Sequence, residues 1–248
     1  AAILIAGMMI SGMVYFLVSG SVTEMNTQVA EVRTERVETD YGETRHISFS
    51  DGSVIVLNAN TQLIYSIESG SRDVEVELNG EAWFDIAQSE NRTVSVHTPD
   101  GRVQVLGTKF NVNTYRGETL VVLEEGKVEV ALRNPEGNFE NGALLAPGYM
   151  ARLAAGEDVI RIDDVDTDSY TSWTENRLRL NETTLSELEA RIHEIYGLNF
   201  RWTGSAASPG GIKISGSLPT DNLTVLLKAL EGLLGRSATI QDQTIVFE

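Results

Sequence analysis

The chain has 248 residues, with 36 acidic and 19 basic side chains and a net charge of −17 at pH 7. Nucleic acids and anionic lipid surfaces are bound through basic footprints, so this charge argues against both as partners. Cysteine is absent, which excludes disulfide bonds and thiolate chemistry, and the length suffices for two domains of ordinary size.

The N-terminal segment is almost wholly apolar, and no charged residue precedes Glu24. An α-helix of about 20 residues spans the roughly 30 Å hydrocarbon core of a bilayer, so residues 1–20 predict a transmembrane helix. A cleaved signal peptide is the alternative, although it should open with a basic region that is missing here. Because cytoplasmic flanks are rich in Lys and Arg and the first basic residue is Arg33, residues 21–248 are expected on the translocated side, the periplasm of a bacterium.

Residues 21–165 comprise a polar segment followed by a longer region with a β-strand pattern. Residues 21–40 are polar, have little apolar periodicity and predict a linker or a frayed helix leading from the membrane. From residue 41 to 165, short alternating runs separated by turn residues predict an antiparallel all-β domain, built as a sandwich, a roll or a solenoid-like stack. Asp-Gly and Asn-Gly pairs favour hairpins; these and the other turn signals are Asp51-Gly52, Ser69-Gly70, Asn79-Gly80, Asp100-Gly101, Arg116-Gly117 and Glu125-Gly126.

Residues 103–115 would be one strand with a Gly-Thr pair inside it. The apolar positions change phase there: Val103 and Val105 share one parity, whereas Leu106, Phe110 and Val112 share the other. Side chains of a strand alternate between faces, so an uncorrected change of phase would turn one apolar set towards water. The pattern therefore predicts a β-bulge at Gly107-Thr108.

An internal repeat follows over residues 166–248. Each copy has a strand and then a helix: strands at 177–180 and 212–218, helices at Leu185–Tyr196 and Leu223–Leu234. A strand follows the first helix, and two closing strands follow the second. These two βαβ-like units predict a small α+β domain with two helices against one small sheet.

The two predicted helices carry their own boundary signals. Thr184 and Glu187 form a capping box, and Gly197 is placed to end the first helix. Thr220 or Asp221 is expected to cap the second helix.

A carboxylate pair beside an aromatic residue occurs in one predicted strand. Strand spacing places Glu81, Trp83 and Asp85 on one face, and the apolar residues Ala82, Phe84 and Ile86 on the other. Glycoside hydrolases use such pairs, but a solvated face opposite the core is the simpler interpretation in so acidic a chain. The three histidines have no metal-binding spacing, so neither a metal site nor a cofactor is expected.

Four blocks of the β region resemble, in order, the periplasmic region of FecR-type anti-sigma factors: "HISFSDGSVIVLNANTQLIY", "VELNGEAWFDIA", "VHTPDGRVQVLGTKFNV" and "LVVLEEGKVEV". These proteins regulate cell-surface signalling in Gram-negative bacteria. The segments "SWTENRLRLNETTLSELEARIHEIYGLNFRW", "ISGSL" and "LLKALEGLLG" resemble their C-terminal domain. That domain is similar to the STN signalling domain of secretins and TonB-dependent transducers. A transmembrane helix before both domains is the order found in the family.

The resemblance implies a single-pass relay in the bacterial inner membrane, connected with the regulation of iron uptake. The signalling domain of an outer-membrane TonB-dependent transducer would contact the C-terminal domain. The signal would cross through residues 1–20 by the action of periplasmic and intramembrane proteases, and would release an extracytoplasmic-function sigma factor. In the family the sigma-binding domain precedes the membrane helix, so sigma binding is expected outside these residues.

The resemblance also implies two candidate sites in a protein that is otherwise not an enzyme. In some members the pair matching Gly107 and Thr108 is cleaved when the threonine hydroxyl attacks the preceding carbonyl and the resulting ester hydrolyses. A partner strand could add to the closing strands, with Ile240, Thr244 and Val246 as the candidate binding residues.

A function of another class stays open on the residues alone. A periplasmic glycan- or cell-wall-binding β-protein with a secretin-like assembly domain would fit the same pattern. Exposure of an aromatic platform built from Trp83, Trp173 or Trp202 would favour this alternative, whereas burial of all three would favour the relay.

Overall fold

The computed structural model describes residues 32–68, 73–89, 91–203 and 211–248. The predicted transmembrane helix over residues 1–20 and the turn signal at Ser69-Gly70 lie outside these residues. Among the helices that are described, none has the length and apolar character needed to cross a bilayer.

Two seven-stranded sheets build the larger domain. In spatial order, sheet A contains β1 (Val32–Glu38), β4 (Gln62–Glu68), β5 (Val74–Asn79), β7 (Val94–His97), β8 (Gly101–Val105), β11 (Val128–Arg133) and β12 (Phe139–Leu145). Sheet B contains β14 (Arg161–Asp164), β13 (Tyr149–Leu153), β10 (Thr119–Glu125), β9 (Thr108–Asn113), β6 (Glu81–Ile86), β3 (Val54–Leu57) and β2 (Arg45–Ser48). The predicted antiparallel pairing is confirmed except for β5 and β7, which are parallel.

The inner faces of both sheets share one hydrophobic core, so the domain is a sandwich. In β5, Val74, Val76 and Leu78 are buried while the residues between them are exposed, as a strand covered on one face requires. In sheet B, Phe84 and Phe110 stack with ring centroids 4.7 Å apart and are fully buried. The alternating apolar pattern of the sequence therefore determines which side chains fill this core.

Two of the predicted turns are corners between the sheets. Asp51-Gly52 and Asp100-Gly101 do join neighbouring strands, β2 to β3 and β7 to β8. Asn79-Gly80 carries the chain from β5 in sheet A to β6 in sheet B, and Glu125-Gly126 carries it from β10 back to β11. Glycine suits such a corner: Gly80 has φ 122°, and a Cβ there would lie 2.7 Å from the Cα of Thr61.

The predicted linker over residues 21–40 is wrong from Val32 to Glu38. These residues form β1, which pairs antiparallel with β4 at one edge of sheet A. Charged side chains dominate the strand, and two neighbouring pairs form salt bridges, Arg33 with Glu35 and Arg36 with Glu38. Edge strands commonly carry such charges, and the polar pattern therefore concealed a strand.

The smaller domain begins with α1 (Asp168–Thr171) and a 3-10 turn (Ser172–Glu175). Its remaining elements are β15 (Arg177–Thr184), α2 (Leu185–Tyr196), β16 (Asn199–Trp202), β17 (Lys213–Pro219), α3 (Leu223–Leu234), β18 (Ala238–Gln241) and β19 (Thr244–Phe247). The predicted repeat is present, but the prediction of one small sheet is wrong. β15 pairs with β17, whereas β19 lies between β16 and β18. Each helix thus connects a strand of the first sheet to a strand of the second.

The two longer helices end as predicted and begin partly as predicted. Thr184 caps α2, since its hydroxyl accepts a hydrogen bond from the Glu187 N–H at 3.2 Å. The cap of α3 is Asn222, neither Thr220 nor Asp221: its side-chain oxygen accepts the N–H of Thr224 at 2.9 Å. Asn is among the best N-cap residues because its short side chain reaches the unpaired N–H groups of the first turn.

Candidate functional site

The Gly107-Thr108 pair is a third corner between the sheets, so the predicted β-bulge is wrong. β8 ends at Val105 in sheet A, and β9 begins at Thr108 in sheet B. Each strand points its apolar residues into the sandwich from its own side, which explains the change of phase. Leu106, at the corner, faces solvent and is 54% exposed.

Close packing explains why this corner has a glycine. A Cβ on Gly107 would lie 2.3 Å from the Cα of Gln88, although the φ of Gly107 is not in the left-handed region. The Thr108 side chain is buried, and its hydroxyl donates to the carbonyl oxygen of Lys127 at 2.9 Å. A peptide carbonyl is a weak base, so this contact positions the hydroxyl without ionising it. Self-cleavage at this pair stays a prediction.

An open groove of about 700 Å³ borders the corner. Its lining includes Gly107, Thr108, Lys127 and the two leucines Leu106 and Leu144, and Leu144 is 74% exposed. Solvent therefore reaches the corner from the outer side of the sandwich.

Of the two strands predicted to bind a partner, one lies at the edge of its sheet and the other is paired on both sides. β19, which contains Thr244 and Val246, is paired on both sides and cannot accept another strand, so these two candidates are wrong for strand addition. β18 lies at the edge of the same sheet, and its Ile240 is 41% exposed. The order of strands, which the sequence did not supply, decides this difference.

The smaller domain covers the outer face of sheet B. Met150, Val122 and Asn111 are neighbours in register across β13, β10 and β9, and each is at most 2% exposed. The residues before and after them along each strand fill the sandwich core. These three side chains therefore point out of the sandwich, and another part of the protein must cover them. The indole N–H of Trp173 in the 3-10 turn donates to the Asn111 side-chain oxygen at 3.2 Å, which places Trp173 over this row.

Polar contacts tie the same face to helix α2. Arg116, after β9, binds Glu187 and Glu194 of α2 with nitrogen–oxygen distances of 2.5 Å each. The N–H of Gly42 donates to the carbonyl oxygen of Ile195 at 2.7 Å. These contacts fix the smaller domain at the edge of the covered face.

Glu81 is buried at the centre of this domain interface. Its two carboxylate oxygens accept hydrogen bonds from the side-chain amides of Asn58, at 2.6 Å, and Asn111, at 2.8 Å. A cavity of about 50 Å³ adjoins it and is also lined by Trp173, Glu187 and other residues of both domains. The prediction that Glu81 belongs to a solvated face is therefore wrong, since this side chain is only 7% exposed.

Burial raises the pKa of Glu81 to about 7, because water no longer solvates the ionised form. The hydrogen bonds from Asn111 and Asn58 oppose this shift, whereas the charge of Glu194 adds to it. Glu81 thus titrates near neutral pH inside the interface.

The sequence placed Glu81 on the correct face but missed the cluster around it. Asn58, Asn111 and Trp173 come from three distant segments, and no spacing connects them. The alternation of residues 81–86 tells which side chains leave the core, but it carries no information about a second domain that covers them. Among the described residues, no group of three or more acidic or histidine side chains could hold a metal ion.

The aromatic residues form no shared platform. Trp173, in the 3-10 turn of the smaller domain, is 6% exposed and faces sheet B, and Trp83 and Trp202 are half-buried. Trp202 stacks on Phe247 within the smaller domain with ring centroids 4.5 Å apart, whereas Trp83 donates to Glu124 on sheet B.

Comparison with known proteins identifies the larger domain. Residues 35–129 match the family described as FecR protein. Among curated proteins no relative matches the chain.

Solved structures extend the similarity beyond that segment. A crystal structure of a candidate anti-sigma factor from Parabacteroides distasonis, at 2.50 Å, superposes with a TM-score of 0.67 and 26% identity. It covers 87% of this chain and 98% of its own. A second crystal structure with the same description, at 1.65 Å, gives a TM-score of 0.66 and 26% identity, with 86% and 98% coverage. This coverage takes in both domains, and residues 35–129 form a FecR domain.

Proposed function

We propose that the protein is a regulatory, anti-sigma-factor-like signal relay. In this proposal residues 1–20 anchor it in the bacterial inner membrane and residues 21–248 lie in the periplasm. The smaller domain receives the signal from the signalling domain of an outer-membrane TonB-dependent transducer. Cleavage by periplasmic and intramembrane proteases then transmits the signal across the membrane to a sigma factor.

The observation that carries the proposal is the pairing of a FecR domain with a second domain that covers its outer sheet. The similar structures from Parabacteroides distasonis are described as a candidate anti-sigma factor and match across both domains. A relay needs a surface that another protein can bind. The open edge of β18 offers one, because its outward backbone groups can pair with a partner strand.

The geometry of β18 identifies the backbone groups that a partner would use. The Glu248 N–H donates to the Ser237 oxygen, so these two residues form a hydrogen-bonded pair. Such pairs alternate along an antiparallel ladder, which makes Thr239 and Gln241 bond to β19. The N–H of Ile240 therefore points away from β19 and is available to a partner.

Binding measurements with the full chain would test the proposal. The probes are purified signalling domains of the TonB-dependent transducers encoded in the same genome, and the assay is calorimetry. We expect one domain to bind, Ile240→Pro to abolish binding by removing the outward N–H, and Ile240→Ala to retain most of it. If no such domain binds, the proposed partner is wrong.

A glycan- or cell-wall-binding function has less support from this arrangement. Sugar platforms need exposed aromatic faces close together, whereas the three tryptophans lie at separate positions and Trp173 is buried between the smaller domain and sheet B.

A further inference from the structure

We infer that the smaller domain is a proton-dependent cover over sheet B, closed while Glu81 is protonated and released when Glu81 ionises. The inference concerns the interface itself and does not require the proposed partner. Its use in signalling would rest on the proposed function.

The first step is that the closed interface offers Glu81 only neutral partners. Among the described residues its direct side-chain donors are the amides of Asn58, Asn111 and Asn113. A buried carboxylate without a cationic partner is costly, because neutral hydrogen bonds replace only part of its hydration.

The second step concerns the charged groups around it. The titratable and charged side chains of the elements packed against Glu81 are Tyr115 and Arg116 after β9, Tyr170 in α1, and Glu187, Arg191 and Glu194 in α2. Tyr115 stays neutral because burial raises its pKa. Arg116 is engaged by Glu187 and Glu194, and Arg191 also binds Glu187. The Glu194 carboxylate disfavours a second negative charge at Glu81.

The third step connects the proton to the docking contact. Asn111 donates its amide N–H to Glu81 and accepts the indole N–H of Trp173 with its oxygen. Glu81, Asn111 and Trp173 therefore form one hydrogen-bonded chain that crosses from sheet B into the smaller domain. A change in the ionisation of Glu81 therefore affects Asn111, whose side chain accepts the Trp173 indole N–H.

The direction of the effect follows from the pKa of each state. In the closed state the pKa is raised from 4.5 to about 7, whereas a Glu81 exposed to water would keep a value near 4.5. Closure is therefore most favourable below pH 4.5 and weakens as the pH rises to about 7. The open-to-closed ratio rises about tenfold for each pH unit inside this window and about 300-fold across it. Above pH 7 it stays constant.

Opening would uncover a defined surface. Val56, Val122 and Met150 are each at most 3% exposed and lie on the outer side of sheet B. They would become accessible together with Asn111 and Glu81.

Single-molecule fluorescence transfer in the full chain would test the inference. The chain has no cysteine, so Ser50→Cys on the sandwich and Lys228→Cys on α3, both exposed, place one dye on each domain. In the wild-type background we expect the low-transfer population to grow between pH 5 and pH 7 and then to level off. No partner protein is present, so this result is independent of the transducer-binding test.

Two variants separate Glu81 from other titrating groups. Glu81→Gln keeps the size of the side chain and one of its two acceptor oxygens without ionising, so its open and closed populations should not change with pH. Asp85→Asn removes a half-exposed carboxylate from the same strand and face, and should behave like the wild type. A wild-type distribution that does not change between pH 5 and pH 8, or a Glu81→Gln protein with the wild-type response, would overturn the inference.

A third variant covers the case in which Glu81→Gln does not fold. Glu194→Gln removes the neighbouring charge that raises the pKa of Glu81, so the total pH response should become smaller and level off at a lower pH. An unchanged response in this variant would also count against the inference.

Discussion

Replacing Gly107 by alanine should destabilise the protein, because the corner has no room for a methyl group. The added Cβ would lie 2.3 Å from the Cα and 2.7 Å from the Cβ of Gln88. The first of these atoms is backbone, and the neighbouring Ser89 N–H is held by the Leu106 carbonyl oxygen at 2.8 Å. The clash can therefore be relieved only by moving two bonded segments apart.

The magnitude follows from two opposing effects. Overpacking of a closely packed site costs about 1–3 kcal/mol, and a clash with backbone belongs at the upper end of that range. Alanine restricts the unfolded chain more than glycine does, which returns about 0.4–1 kcal/mol. The expected net loss is about 2 kcal/mol, which lowers the melting temperature by roughly 4–8 °C in a protein of this size.

Thermal and urea unfolding followed by circular dichroism would measure this loss. Gly142→Ala is the matched control, since a Cβ there would meet its nearest atoms, the Glu129 carboxylate and the Val130 oxygen, at an ordinary 3.7 Å. The control should melt within about 2 °C of the wild type. If Gly107→Ala is as stable as the control, the steric explanation of the glycine is wrong.

Thr108→Ala removes the hydroxyl that donates to Lys127. It should cost about 1 kcal/mol and abolish cleavage after Gly107, whereas a wild-type protein that stays a single band on a denaturing gel would reject self-cleavage. Trp173→Phe leaves the buried Asn111 oxygen without its donor and should lower the urea midpoint by an amount equivalent to about 1–3 kcal/mol. Trp83→Phe, which loses a contact with half-exposed Glu124, should cost less; equal losses would contradict the role given to the interface. Asn222→Ala should cost about 1 kcal/mol through the lost helix cap, and Asp221→Ala should cost little; the reverse order in urea unfolding would refute this cap.

Local patterns predicted much of the fold. The alternation in β5 and β6 identified their core-facing residues, and the Thr184 cap together with Gly197 identified the two ends of α2. Such signals are carried by residues within a few positions of one another. These local signals failed for β1, because this edge strand carries mostly charged residues and lacks an alternating apolar pattern.

The candidate sites were less predictable, because each depends on which strands become neighbours. The phase change at Gly107-Thr108 was visible in the sequence, but a bulge and a corner between sheets produce the same change. Ile240 and Val246 both belong to the predicted closing strands, yet only Ile240 lies in an edge strand. Pairing between distant segments decides both cases.

The sequence by itself determined most of the strands, the repeat, the apolar faces and the resemblance to FecR-type proteins, because alternation, caps and motifs are properties of short segments. Tertiary structure alone decided that Glu81 is enclosed. Asn58, Asn111 and the smaller domain come together around it only when sheet B has formed and is covered, and that covering changes an ordinary surface carboxyl into a group that titrates near neutral pH.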